Sequence, residues 1–134
     1  MDSDRQQRSQ IIQCFYGKVR KLVRHAIAAK VLDVAYGDYA SAAERQALIE
    51  EFYGPQYALF KTPERRTIQQ IIEAHPDREE SIRRHMYEAL VPLLEKGKCT
   101  QNIVHRILLD FLLIADEKRS AEIVDLVKEL VVEM

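Results

Sequence analysis

The chain has 134 residues, of which 47% are hydrophobic and 31% charged, which is typical of one folded domain and not of a disordered chain. Four glycines, four prolines and two cysteines are too few for a sandwich or barrel of many short strands, or for a disulfide-stapled scaffold. Twenty basic and 21 acidic side chains nearly cancel, which argues against a uniformly basic nucleic-acid-binding protein. No apolar run approaches the roughly 20 residues that span a bilayer, so we expect no membrane partner.

The first predicted helix covers residues 11–27, where apolar residues recur at helical spacing from Phe15 to Ile27. Another face of this segment carries three basic residues spaced three apart, namely Lys18, Lys21 and Arg24. A short apolar helix follows over 27–36, and Gly37-Asp38 is expected to end it.

Capping signals mark the next two helices. Ser41 and Glu44 have the spacing of a capping box, which predicts a helix over 42–53. After Gly54-Pro55, Thr62 can cap a helix whose first position is Pro63.

A longer helix is predicted over 77–96, with a kink or break near Glu88 because Pro92 lies inside its apolar stripe. Lys96-Gly97-Lys98 provides a C-terminal stop. Two further helices are predicted: one over 101–115, which is apolar on most sides and expected to be central, and one over 117–133 with a single apolar stripe. No segment alternates apolar and polar residues as a strand would, so the predicted fold class is all-α.

Two of these segments are weakly similar to each other. The stretch that begins at His25 aligns with the stretch that begins at Thr100, with Val31 opposite Val104 and an offset of 73 residues. That offset is about twice the length of a helical-hairpin unit, which favours an α-solenoid over a closed bundle.

The near-zero net charge hides an uneven distribution. Residues 1–36 hold seven basic and three acidic side chains, a net charge of +4, whereas 107–134 hold three basic and seven acidic ones, a net charge of −4. Such asymmetry can mark a polyanion site at the basic end, or it can be a solvated surface whose charges happen to segregate.

Four stretches resemble the Pumilio-related family called Puf-A or Penguin: CFYGKVRKLVRHAIAAKVLDVAYGD, ERQALIEEFYGPQYALFK, VPLLEKGKCTQNIVHRILLDFL and EIVDLVKELV. The resemblance implies a right-handed α-solenoid of Pumilio-like three-helix repeats, of which this chain would be an internal fragment. It implies one domain over 1–134, with approximate repeats over 11–53, 54–76 (degenerate) and 77–134. Family members look like nucleolar factors that bind RNA or DNA with little sequence preference, in ribosome biogenesis or translational control.

Sequence-reading Pumilio repeats present three side chains to each base. By resemblance, the first trio here is Ala29, Lys30 and Asp33, and the last is Asn102, Ile103 and Arg106. A doubtful middle trio is Pro55, Gln56 and Leu59. Only Asn102 fits the family pattern, so base-by-base reading is not expected. The remaining side chains suit phosphate contacts, and the predicted nucleic-acid site is Lys18, Lys21, Arg24, Lys30, Asn102 and Arg106.

No motif for catalysis, a metal or a cofactor is present, and the chain is not expected to be an enzyme. The expected partner is RNA or DNA, bound without sequence preference, with pre-ribosomal proteins as possible further partners. The alternative function is a protein–protein interaction scaffold without nucleic-acid affinity. Self-association through exposed solenoid ends is a third hypothesis. Localisation to the nucleus and nucleolus follows from the resemblance alone.

Overall fold

The computed structural model describes residues 2–54, 67–97 and 101–133, and this part of the chain is helical, without a strand. The α-helices are α1 Asp2–Gln13, α2 Val19–Leu22, α3 Ala26–Val34, α4 Ala42–Glu50, α5 Ile68–Ala74, α6 Glu79–Glu95, α7 Asn102–Ile114 and α8 Glu117–Glu133. A π turn follows α3 at Ala35–Tyr39, and 3-10 turns lie at Glu51–Tyr53 and Pro76–Arg78. No helix in the described ranges is both long and apolar enough to cross a bilayer.

The single helix predicted over 11–27 is wrong, because the structure divides this segment among α1, α2 and the start of α3. The chain leaves α1 through a turn in which Gly17 has a φ of 82°, a left-handed conformation that favours glycine. Ile27, expected on the core side, is 81% exposed. The apolar spacing continues across the turn, so periodicity alone could not show the break.

The helix that was expected to stop at Gly37-Asp38 instead widens into the π turn. The amide of Ala40 donates to the carbonyl of Ala35 at 2.9 Å, five residues back, and Gly37 does not adopt a positive φ. Arg45 stabilises this turn from α4, since its guanidinium donates to the carbonyls of Tyr36 and Gly37 at 2.9 and 2.7 Å.

Both described capping boxes follow local sequence signals. Ser41 and Glu44 form the predicted box at the start of α4. Thr67 and Gln70 form a second box at the start of α5. The predicted helix start at Thr62-Pro63 lies outside the described residues.

Helix α6 is central to the packing, since it contacts both α7 and α8 as well as the 3-10 turn at Glu51–Tyr53. The predicted break is absent, because α6 runs unbroken through Pro92. Pro92 lies in the last turn, where the missing N–H leaves only one carbonyl without its helical partner. Gly97, with a φ of 69°, provides the predicted stop. The core side of α6 consists of Ile82, Met86, Leu90, Leu93 and Leu94.

A group of charged side chains fastens the ends of α7 and α8 to α6. Arg83 on α6 donates to the carbonyl of Ile114, the last residue of α7, at 2.8 Å. Arg119 on α8 lies 2.7 Å from Glu80 on α6. The hydrogen bond from Arg119 holds the pKa of the Glu80 carboxyl below its ordinary value, with Arg83 acting in the same direction. Arg83 also pairs with Glu79 and Glu80 of its own helix, so one guanidinium joins contacts within α6 to the end of α7.

Burial shows how α3 and α7 correspond. The sequence of buried, half-buried and exposed positions over 27–36 recurs almost unchanged over 102–111. This offset is 75 residues, two more than in the sequence alignment, so Lys30 corresponds in burial to His105. The two offsets differ because the sequence alignment paired apolar residues by type, whereas the burial pattern pairs positions on the side of each helix that packs on the core.

Candidate nucleic-acid interface

The three basic residues of the segment around α2 recur at every third residue along it. The amide of Lys21 donates to the carbonyl of Lys18 at 3.1 Å, and the amide of Arg24 to that of Lys21 at 3.2 Å. The amides of Leu22 and Val23 also donate four residues back, to Lys18 and Val19 at 2.9 and 3.1 Å, so the segment mixes three- and four-residue bonds and residues three apart are neighbours on its surface. Lys18, Lys21 and Arg24 are all exposed. We call these three residues the basic row.

Glu51 and two buried valines hold the basic row in place. The Glu51 carboxylate accepts the amides of Gly17 and Val19, at 2.9 and 3.2 Å, and so caps the first turn of α2 from 32 residues or more away. Val19 and Val23 anchor the other side of the segment in the core. Glu51 is also an acidic group at the Lys18 end of the row, which locally reduces the positive potential there.

The junction between α3 and α7 holds a second group of predicted site residues. Asp33 on α3 accepts the backbone amide of Asn102, the first residue of α7, at 2.7 Å. Lys30, one turn before Asp33, is exposed, and so is Asn102. The structure therefore brings Lys30 and Asn102 to one junction, while the basic row lies on α2.

Arg106 follows Asn102 by one turn, but its Nε is engaged within α7. It donates to both carboxylate oxygens of Asp110 at 3.1 Å. Burial raises the pKa of the Asp110 carboxyl, and the neighbouring Arg106 guanidinium opposes that rise. Burial also raises the pKa of the nearby Tyr36 phenol, against the opposing charges of Arg106 and Arg45. Arg106 thus balances a buried carboxylate of its own helix.

Two members of the base-reading trios lie in the core. Ala29 is 1% exposed and Ile103 is 0% exposed. A side chain without surface cannot contact a base edge or stack on a base, so the first and the last trio are incomplete. The middle trio, Pro55, Gln56 and Leu59, lies outside the described residues, and the absence of base-by-base reading stays a prediction.

Asp33 and Glu51 are the structurally decisive residues that the sequence did not single out in these roles. Each caps a helix that is distant in sequence, and the two partners of the Asp33 contact are 69 residues apart. A capping box can be recognised in the sequence because its two residues are three positions apart. The caps made by Asp33 and Glu51 have no such local spacing, so the sequence does not reveal them.

Replacing Asp33 with alanine is expected to lower the free energy of unfolding by about 1 kcal/mol, the usual effect of losing an N-cap acceptor. Urea denaturation measures it. The matched control is Asp125→Ala on the exposed surface of α8, which should change stability by less than about 0.5 kcal/mol. Equal effects of the two substitutions would show that the Asp33 cap contributes nothing.

Within the described ranges, no group of three or more His, Cys, Asp or Glu side chains is arranged to hold a metal ion.

The chain resembles Puf-A proteins in both sequence and structure, although no family model matches it. It is 35% identical over 133 residues to Pumilio homolog 3 of Homo sapiens, covering 98% of this chain and 20% of that protein. The crystal structure of human Puf-A superposes with a TM-score of 0.85 at 34% identity, over 96% of this chain and 25% of that one. Human Puf-A in complex with DNA gives a TM-score of 0.84 at 34% identity, over 94% and 25%. The chain spans about a fifth of the length of the curated relatives it matches.

Proposed function

Because the chain is a Puf-A-like segment of a Pumilio-related repeat protein, a helical solenoid, we propose that it binds RNA or DNA through the phosphate backbone with little sequence preference. Human Puf-A has been crystallised with DNA, and its structure is similar to nearly all of this chain. We extend nucleic-acid binding to this segment, with basic side chains contacting the phosphates.

The basic row is the observation that carries the proposal. Residues three apart on a helical surface have Cβ atoms about 5–6 Å apart. That spacing is close to the separation of successive phosphates on an extended single strand, and three exposed cations in line can follow a backbone without regard to the bases. The burial of Ala29 and Ile103 leaves the first and the last trio incomplete, which supports backbone contact over base reading.

The wider roles rest on the family resemblance. We propose that the parent protein acts in ribosome biogenesis or translational control, in the nucleolus and beside pre-ribosomal proteins. Backbone binding without base reading suits a factor that must hold many different segments of a long RNA.

The test is fluorescence anisotropy with labelled single-stranded RNA oligomers of unrelated sequence, titrated between about 50 and 200 mM salt. The wild-type chain should bind the oligomers with similar affinity. Changing Lys18, Lys21 and Arg24 together to glutamate should weaken binding to all of them by tenfold or more. The slope of log affinity against log salt should fall by about 2, at about 0.7 per lost phosphate contact on a single strand.

A control variant reverses three exposed charges elsewhere, at Arg84, Lys118 and Lys128, and so changes the net charge by the same amount. It should keep most of the affinity. Equal losses in the two variants would show that only net charge matters and that the basic row is no site. A wild-type chain that binds no RNA at low salt, but retains a defined protein partner in pull-downs, would favour the interaction-scaffold function instead.

A further inference from the structure

The π turn at Ala35–Tyr39 presents an aromatic ring on the surface, next to a guanidinium from another helix. The guanidinium carbon of Arg8, on α1, lies over the Tyr39 ring at 5.5 Å from its centre. This distance is within the roughly 6 Å of a cation–π contact. Both residues are exposed, and Tyr39 keeps 42% of its surface open. We call Arg8 and Tyr39 together the Tyr39 platform.

Hydrogen bonds hold the backbone that carries this ring. The amide of Ala40 donates to the carbonyl of Ala35 and closes the turn. Arg45 donates to the carbonyls of Tyr36 and Gly37 within it. Single π turns are often found at functional sites. Because the turn is already fixed, a ligand that stacks on the ring has to order little more than the ring itself.

The surroundings of the platform suit a nucleic acid. Arg8 and Arg45 are both exposed and basic, and Asp38 is the acidic residue of the turn. Helix α1 leads from Arg8 towards the basic row, since its last residue, Gln13, lies about 7.5 Å further along the axis at about 1.5 Å per residue. A short turn then connects Gln13 to Lys18. One helix and one turn therefore join the platform to the basic row.

We propose that the Tyr39 platform stacks on an unpaired base of the strand whose phosphates contact the basic row, an inference that rests on the proposed function. Bases stack on aromatic rings and on guanidinium planes, and every base has a π face, so stacking requires no particular sequence. A base within a duplex has both faces covered by the neighbouring pairs. The platform therefore adds affinity for single strands and keeps the binding free of sequence preference.

The decisive experiment compares two single strands of equal length by fluorescence anisotropy, one carrying thymine bases and one made of abasic sugar-phosphate. The wild-type chain should bind the thymine strand tighter by about fivefold or more, the lower end of what one stacked base contributes. Tyr39→Leu should remove most of this difference and leave the affinity for the abasic strand unchanged. Tyr39→Phe keeps the ring and should bind as the wild type does. Because Tyr39→Leu removes no charge, its salt dependence should equal that of the wild type.

Tyr16→Leu is the matched control, since Tyr16 is 39% exposed but lies among acidic side chains. Burial, and then the charges of Glu44 and Glu51, raise the pKa of the Tyr16 phenol. This variant should bind both strands as the wild type does.

Three results would each overturn the stacking: equal wild-type affinity for the two strands, an equal loss on both strands in Tyr39→Leu, or a loss in Tyr39→Phe or Tyr16→Leu as large as that in Tyr39→Leu. The comparison of strands on the wild-type chain requires no variant, so it decides the matter even if Tyr39→Leu fails to fold. A wild-type chain that binds neither strand refutes the proposed function and the stacking with it, whereas equal binding of both refutes the stacking alone.

Discussion

Gly54→Ala is expected to lower the free energy of unfolding by about 3 kcal/mol, the largest effect of any single substitution that we predict. Gly54 has a φ of 99° and a ψ of 163°, a conformation that is open almost only to glycine. A Cβ at this position would lie 2.5 Å from Nδ1 of His85. The ring cannot simply move away, because Nδ1 donates to the carbonyl of Ser81 at 2.7 Å. Urea denaturation of the two proteins measures the loss.

Two companion variants separate the backbone cost from the steric cost. Gly17→Ala meets the backbone cost alone, since Gly17 has a φ of 82° but no atom within 4 Å of an added Cβ, and it should cost about 1 kcal/mol. In a His85→Ala background, Gly54→Ala should lose its steric part and cost less than in the wild type, while the backbone cost of its own φ and ψ remains. If Gly54→Ala costs the same with and without the His85 ring, the close contact does not determine stability.

Arg83→Ala is expected to cost about 2 kcal/mol, because it removes charge-assisted hydrogen bonds at the meeting point of two helices. The side chain is only 15% exposed, and its guanidinium also donates to Glu79 and Glu80, at 2.6 and 2.8 Å. Its Nε holds the final carbonyl of α7. The thermal midpoint and the urea midpoint should both fall.

The neighbouring Arg84 gives a matched control, since it is exposed and Arg84→Ala should stay within about 0.5 kcal/mol of the wild type. Arg83→Lys keeps the charge but loses the planar guanidinium and its several donors, so its loss of stability should lie between those of Arg83→Ala and Arg84→Ala. Because Arg119 and Arg83 lower the pKa of Glu80, the stability gained there is present above the ordinary carboxyl pKa of 4.5 and is lost as the pH falls through the lowered value. The cost of Arg83→Ala should therefore shrink at acid pH, and a cost that is independent of pH would contradict this account.

Features encoded within a few residues were predictable from the sequence. The capping box at Ser41 and Glu44, the stop at Gly97 and the span of α8 all follow local spacing, and the structure confirms each of them. The all-α class followed from the absence of strand alternation. The resemblance to Puf-A, carried by several long motifs, predicted the solenoid that the structural comparison supports.

Features that depend on distant partners were not predictable in the same way. The first turn of α2 begins where Glu51 caps it. No sequence signal near Gly17 or Val19 indicates that a distant carboxylate accepts their amides. The π turn at Ala35–Tyr39 depends on Arg45 reaching back from α4. For the candidate site, the spacing of the basic row predicted an exposed basic face, and its three residues are exposed. The hydrogen bonds of Arg106 to Asp110 were not predictable, because the sequence does not show that Asp110 is buried. The division into repeats over 11–53, 54–76 and 77–134 stays a prediction.

The two long-range caps have a consequence for how this chain folds. A helix of four residues such as α2 is far below the length at which helices persist alone in water, so it cannot serve as an early nucleus. Its capping carboxylate arrives only when the end of α4 has docked, and α7 receives Asp33 only when α3 is in place. Each of these capping hydrogen bonds closes a loop of more than 30 residues, and the entropy of closing the loop is lost before the hydrogen bond forms. The two caps therefore couple the halves of the chain into one folding transition. Helices that look separable along the sequence should therefore gain and lose their order together.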